Sequence, residues 1–285
     1  MRLRILASGV ITALTLTMAA PAQADTAGPT GEIVQTTRTG GQVVALTFDD
    51  GPSPAWTPKV LDLLRGRRIR ATFCLLGSQA KAHPDLVRRI VAEGHALCNH
   101  SFNHDYLADR TPEEIRSDLT ATNDAIRTAA GDPDLPIRYF RAPYGGWGAT
   151  PQVAASLGMT ALAWNMDPAD WDGSPSAVLA ERLNTQLHPT AVALSHDGGG
   201  DRGPTLAAYE QVLPQWQQAG WKFDLPAVTG GPYPPMCTAP DWQAHTVYVE
   251  GKRVSRDGRV YQARWWTQLE NPASAWWVWT DLGAC

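Results

Sequence analysis

The apolar positions of this chain fall into short blocks set between polar stretches that open on proline. Val43–Phe48, Ala71–Leu76, Ala96–Cys98, Tyr139–Phe140, Ala161–Trp164 and Ala191–Leu194 have the length and composition of buried strands. Helices are predicted to begin near Pro58, Pro84, Pro112, Pro151, Pro175 and Pro204. Proline suits those places because the first helical residue needs no amide donor. Thr111-Pro112-Glu113-Glu114 adds a capping box, in which a side chain at each end satisfies a free amide. Strand–helix alternation at this spacing predicts an α/β fold with a parallel sheet or barrel.

The polar residues that interrupt this pattern sit at strand ends. Asp49 and Asp50 follow the first strand, and His100 and His104 follow the third. Arg141 to Tyr144, Asp167 to Trp171, and His196 with Asp197 follow the next three. In a barrel of parallel strands these carboxyl-terminal ends converge on one face, where active sites are built. The Gly/Pro-rich stretch from Pro226 onward breaks the alternation and reads as a linker. Beyond it lie six of the 12 tryptophans, Trp242, Trp265, Trp266, Trp276, Trp277 and Trp279, among residues that suit short strands and turns. A segment that small cannot bury six indoles, so some must form an exposed binding face, with one or two left for a core.

Composition narrows the picture. Arg2 and Arg4, the apolar run Ile5–Ala20 and the small-x-small triplet Ala22-Gln23-Ala24 have the form of a signal peptide, so a secreted, extracellular protein is expected. No other stretch is apolar enough to span a bilayer, so no membrane is expected for the mature form. The net charge of −4, without a basic cluster, argues against nucleic acid. Cys74, Cys98, Cys237 and Cys285 contain no Cys-x-x-Cys, and in an exported chain an even count favours disulfides. Of the three possible pairings, Cys74–Cys98 and Cys237–Cys285 keep each bridge within one unit. The expected organisation is a signal peptide over 1–24, a lead-in over 25–41 that is flexible or ordered on contact, a catalytic domain over 42–225, a linker over 226–236 and a small module over 237–285.

The chemistry follows from the strand-end residues. Asp50, His100 and His104 offer one carboxylate and two imidazoles to a divalent metal, with a coordination position left for water. Asp49 is the spare carboxylate, suited to act as general base towards that water. Arg141 would keep Asp49 ionised and oriented. The Tyr144 amide could donate to a developing oxyanion. His196 suits a general acid, with Asp167 accepting from its other ring nitrogen. Trp171 could wall the site and stack on a sugar ring, while Asp170 reads as a cap or a solvated loop residue. His83, His95, His188 and His245 have bland readings as helix-end, loop or surface residues.

With these residues in hand, the chain over roughly 42–225 resembles the polysaccharide deacetylase family (NodB-homology domain, carbohydrate esterase family 4). The stretches TFDDGP, HSFNH, RAPYGG, DPADW and LSH carry the likeness in order. The resemblance implies a deformed (β/α) barrel and a metal, usually zinc, held by an Asp-His-His triad. It also implies removal of acetyl groups from N-acetylglucosamine polymers or from xylan. Carried over, Asp49 is the base, Asp50, His100 and His104 are the ligands, His196 is the acid, and Arg141 and Asp167 support them. Cys74 and Cys98 depart from the family pattern, which commonly has an aromatic and a small residue there. The tail resembles a small Trp-rich, all-β chitin- or cellulose-binding module (carbohydrate-binding module families 5 and 12), with Trp265 and Trp266 best suited to stack on sugar.

Together these features lead us to expect a monomeric, secreted chitin or chito-oligosaccharide deacetylase dependent on a divalent ion. Zinc is favoured, and cobalt and nickel accept the same ligands. An acetylxylan esterase and a peptidoglycan N-acetylglucosamine deacetylase are the enzymatic rivals. A catalytically silent wall- or chitin-binding protein is the rival of another class.

Overall fold

The computed structural model describes residues 31–229, 239–256, 259–275 and 277–284. The segment expected to be a signal peptide, most of the expected linker, Trp276 and the expected Cys237–Cys285 bridge lie outside the described residues.

The larger body is built on one parallel sheet. Its strands are β1 (Ile33–Val34), β2 (Val43–Asp49), β3 (Thr72–Leu75), β4 (Ala96–Asn99), β5 (Tyr139–Phe140), β6 (Thr160–Leu162), β7 (Ala191–His196) and β8 (Lys222–Phe223). The order is β1-β6-β5-β4-β3-β2-β7, with β8 beside the start of β2. A parallel bridge between Met166, just past β6, and Ala193 of β7 draws the far sides together and curls the sheet into a deformed barrel. The helices are α1 (Thr57–Arg67), α2 (Gly77–Ala82), α3 (Pro84–Ala92), α4 (Pro112–Ala130), α5 (Thr150–Ser156), α6 (Ser176–Gln186) and α7 (Gly203–Gln218). The Thr111 capping box at α4 forms as expected.

Two segments placed outside the expected catalytic domain belong to this body. Ile33–Val34, placed in the lead-in, is a strand paired with β6. Pro226 to Thr229, placed in the linker, bonds back onto residues 36, 37 and 160. Both segments are too short to show a periodicity, and only their ladder partners fix them.

Side chains alternate across a strand, so each strand serves two cores. Val44, Leu46 and Phe48 of β2 pack outward with Leu61, Ile90, Leu119 and Val212 of the helices. Ala45, Cys74, Cys98, Tyr139, Leu162 and Val192 face the barrel interior. Cys74 and Cys98 are register partners on β3 and β4 and are joined by a disulfide. Continuing the inward parity to the strand ends places Thr47, Asp49, Arg141 and His196 on the interior side at the carboxyl-terminal rim. The barrel wall and the rim are therefore one alternation, read at different heights.

His95 departs from its bland reading, because it is buried at the start of β4. Its Nδ1 accepts from the Ala71 amide at 3.1 Å, and its ring packs edge-on to Phe73. Burial, helped by the charges of Arg70 and Arg89, pushes its pKa down from 6.5 to about 3. The unfolded chain therefore binds a proton at this residue between those values while the folded chain does not, so stability falls as pH drops below 6.5. We expect unfolding free energy to lose about 2 kcal/mol from this group between pH 6.5 and 5. His95→Gln should flatten that slope in denaturant titrations at the two pH values; an unchanged slope would place the sensitivity elsewhere.

The C-terminal unit is an antiparallel sheet of β9 (Arg253–Arg256), β10 (Arg259–Ala263) and β11 (Trp279–Ala284), in the order β11-β10-β9. Its core gathers Tyr248, Val254, Tyr261, Val278 and Trp279, with Trp242 packed at the edge. The Trp279 indole donates to the Glu270 carbonyl, which makes it a satisfied core residue. Trp265, Trp266 and Trp277 are exposed. Among the described residues, no helix is long and apolar enough to cross a membrane.

Candidate active site

Strand β2 delivers two neighbouring carboxylates to the rim, and the backbone turns sharply between them. Asp49 ends the strand, and Asp50 has a left-handed φ of 70°. The turn is closed from the other side by Gly198 and Gly199. A Cβ on Gly198 would lie 2.2 Å from the Asp50 carbonyl oxygen, and one on Gly199 would lie 2.4 Å from Asp50 Oδ2. Ser101, His104, Tyr144 and Ala169 share that left-handed backbone. Five of the eight non-glycine residues described in this conformation thus lie in the rim loops. Strain of this kind persists where surrounding bonds over-determine it.

Those bonds are visible around the histidines. Asn99 donates to the Leu119 carbonyl and to Asn123, while its own carbonyl accepts from the Ser101 amide. The first amides of α2, Gly77 and Ser78, donate to the carbonyls of Ser101 and Phe102. The His-x-x-x-His segment is therefore an ordered loop, in which the chain folds back to bring both rings together. Their centroids are 5.0 Å apart.

Asp50, His100 and His104 converge. Their potential ligand atoms all lie within 4.8 Å of one another. Asp50 Oδ1 is 3.5 Å from His100 Nε2 and 3.4 Å from His104 Nε2, and this buried oxygen has no hydrogen-bond partner. A tetrahedral ion with bonds of about 2.0–2.2 Å requires ligand separations close to these. The His100 Nδ1 lies 2.8 Å from the Arg141 carbonyl, which fixes the ring proton there and turns the Nε2 lone pair inward. Burial opposes charge on His100, but Asp49 and Asp50 overcome it and raise its pKa. Burial would raise Asp50, yet the three surrounding histidines hold it below the usual carboxylate range. His104 is lowered by burial and by His100. The cluster favours positive charge without room for two protonated rings, which fits a bound cation.

Asp49 is buried beside this cluster. Its Oδ1 accepts from Arg141 Nη1 at 2.8 Å, leaving Oδ2 on the ligand side, 3.7 Å from His100 Nε2. Arg141 is fully buried and also donates to Thr47 Oγ1 and to the carbonyls of Leu162 and Ala163. Tyr144 stands on the other side, 73% exposed, with its ring edge-on to His104 at 4.4 Å. The Tyr144 amide makes no hydrogen bond to a protein acceptor among the described residues.

His196 ends β7 as the register partner of Asp49. Here the structure corrects the sequence reading. His196 Nδ1 is held by Asp170 Oδ1 at 2.6 Å, not by Asp167. Asp167 Oδ1 instead accepts from the Ala169 amide and caps its own loop. That turn, with Ala169 left-handed, carries Asp170 inward and leaves Trp171 exposed. Spacing alone could not choose between two aspartates three residues apart. Burial opposes protonation of His196, but Asp170, followed by Asp49 and Asp50, raises its pKa. Asp197, unassigned from sequence, is buried and packs against Gly51, where a Cβ would fall 2.5 Å from its carboxylate. Burial pushes its pKa up to about 7, although Thr57 Oγ1 donates to it at 2.5 Å.

Residues 36–162 match the model of the family described as polysaccharide deacetylase. A chitooligosaccharide deacetylase of Sinorhizobium fredii (strain NBRC 101917 / NGR234) is 35% identical over 194 residues, covering 64% of this chain and 89% of that protein. The chain belongs to the polysaccharide deacetylase family. A peptidoglycan-N-acetylglucosamine deacetylase of Bacillus cereus is 33% identical over 199 residues, 68% of this chain and 91% of that one. The crystal structure of the Bc1960 peptidoglycan N-acetylglucosamine deacetylase, bound to an N-hydroxybenzamide, superposes with a TM-score of 0.63 at 31% identity. It covers 68% of this chain and 90% of that one. Residues 241–278 match carbohydrate-binding module family 5/12. The antiparallel C-terminal sheet belongs with that match, as the curled parallel sheet does with the deacetylases.

Proposed function

We propose that this protein is a secreted, metal-dependent deacetylase that hydrolyses the N-acetyl groups of chitin or chito-oligosaccharides, with zinc as its ion. The observation that carries the reading is the arrangement at the rim. A carboxylate–imidazole–imidazole cluster has an unligated carboxylate on one side and a carboxylate-anchored histidine on the other. Asp50, His100 and His104 would hold the ion. When bound, it supplies positive charge that acidifies water and polarises the acetyl carbonyl.

The chain's own groups carry the protons. Asp49 Oδ2 takes one from the attacking water while Arg141 fixes Oδ1. The Tyr144 amide donates to the carbonyl oxygen as negative charge develops there. His196 Nε2 delivers a proton to the departing nitrogen, and Asp170 holds Nδ1 and stabilises the imidazolium. The C–N bond breaks, a C–O bond forms, and acetate and a free glucosamine amine are released. Trp171 and Tyr144 offer exposed rings at the rim for sugar stacking.

The exposed Trp265 and Trp266 favour chitin over the other N-acetylglucosamine polymers. Trp265→Ala with Trp266→Ala should weaken binding to insoluble chitin at least about tenfold, since the apolar ring faces covered by sugar are worth about 25 cal/mol per Å² removed from water. Turnover of soluble oligomers should not change; an equal loss on both would make the module structural. Export is supported by the pattern of residues 1–24 and by the Cys74–Cys98 disulfide.

The testing experiment is mass spectrometry of chito-oligosaccharides, peptidoglycan fragments and acetylated xylo-oligosaccharides, using metal-loaded and chelator-treated protein. Acetyl loss from chito-oligosaccharides that vanishes on chelation and returns with zinc is expected. Loss from peptidoglycan alone would move the substrate, and loss from xylan alone would make the enzyme an esterase.

A further inference from the structure

The start of α7 lies against the His196 side of the rim. Thr205, the third residue of that helix, donates from Oγ1 to Asp170 Oδ2 at 2.9 Å. The same oxygen accepts from the His196 amide at 3.0 Å, while Oδ1 holds His196 Nδ1. Arg202, just before the helix, donates from Nη1 to the Asp170 carbonyl at 3.0 Å and from Nε to the Gly198 carbonyl at 2.7 Å. Thr205, Asp170 and Arg202 are all buried.

We propose that Thr205 is a positioning residue for the reaction, acting through Asp170 on His196; this rests on the deacetylase reading above. A carboxylate that held an imidazole through one oxygen alone could turn about its own Cβ–Cγ bond and release the ring. Here the second oxygen is pinned from two directions and the backbone from a third. Thr205 is suited to the task because its β-branched side chain has few rotamers, so the hydroxyl direction is set by the helix. Arg202 ties the Asp170 loop to the glycine loop that lies against Asp50, keeping both loops in register. The imidazole is thereby held with Nε2 towards the substrate through successive turnovers.

The proposal separates substrates by leaving group. An amide nitrogen must be protonated to depart, whereas an activated phenolate leaves without help. Thr205→Val keeps shape and removes the donor, and Thr205→Ser restores it. Kinetics on chitotetraose and on 4-nitrophenyl acetate should show Thr205→Val about 10- to 100-fold lower in kcat on the amide. That range is what loss of a hydrogen bond to a charged group implies. KM should be unchanged, the ester within about threefold of wild type, and Thr205→Ser recovered. Equal losses on amide and ester, a change in KM alone, or no rescue by serine would overturn the proposal.

A second measurement does not depend on turnover. The imidazole Nδ1 proton of His196, assigned by its absence in His196→Ala, should give a far-downfield proton resonance in wild type and in Thr205→Ser. That signal should broaden or disappear in Thr205→Val. Its persistence in the valine variant would also overturn the proposal. If wild type deacetylates neither substrate, the functional reading fails, while this resonance still decides whether Thr205 positions the ring.

Discussion

Asp49→Asn should abolish deacetylation, lowering kcat on chito-oligosaccharides by about 10³-fold or more, within and beyond the usual range for removal of a general base. The side chain keeps its size, and its carbonyl oxygen can still accept from Arg141. The other terminus becomes an N–H donor that cannot take a proton. Binding to chitin through the C-terminal module should not change, since Asp49 is remote from it in sequence and function. Stability should fall, because Arg141 is fully buried and loses its carboxylate partner at 2.8 Å. Breaking a buried pair from one side costs about 3–5 kcal/mol, and the hydrogen bonds that remain to Arg141 should keep the loss near the lower end. Turnover therefore has to be compared well below the melting temperature. Activity within tenfold of wild type on folded protein would remove Asp49 as the base.

His196→Ala is the second large effect, and its value lies in selectivity. Loss of the acid should lower amide hydrolysis by about 10²–10⁴-fold. An activated acetate ester should suffer far less, because its leaving group departs as an anion. Loss of the ring also strips Asp170 of its closest partner, but Thr205 and the residue-196 amide still hold that carboxylate, so the fold should survive. Parallel assays of amide and ester on the same preparation test this. An equal loss on both would mean that His196 serves binding or shape rather than proton delivery.

The chain's own pattern was enough for the architecture. The apolar blocks located the six longer or better-marked strands, and the prolines located six helices, because both signals are local. It also marked four residues, Asp49, Asp50, His100 and His104, that the structure gathers into one cluster. They sit in motifs whose joint occurrence carries the family resemblance, and Arg141 follows its own strand directly. The Cys74–Cys98 bridge was legible because only two cysteines lie in the barrel segment.

Tertiary structure decided what local signals could not. Strand β1 is a single Ile-Val pair in a polar, Thr/Gly-rich stretch, and it is a strand because β6 offers it a ladder. His95 reads as a surface residue until β3 and α3 close over it. The choice between Asp167 and Asp170 depends on one left-handed turn at Ala169, which directs one carboxylate into its own loop and the other to His196. Thr205 meets that carboxylate, and Arg202 the Asp170 backbone carbonyl, from more than thirty residues away in sequence. Sequence spacing records which groups a strand end carries. Which of them face each other is set by the curl of the sheet and the fold-back of the rim loops, and these arise only when distant segments pack.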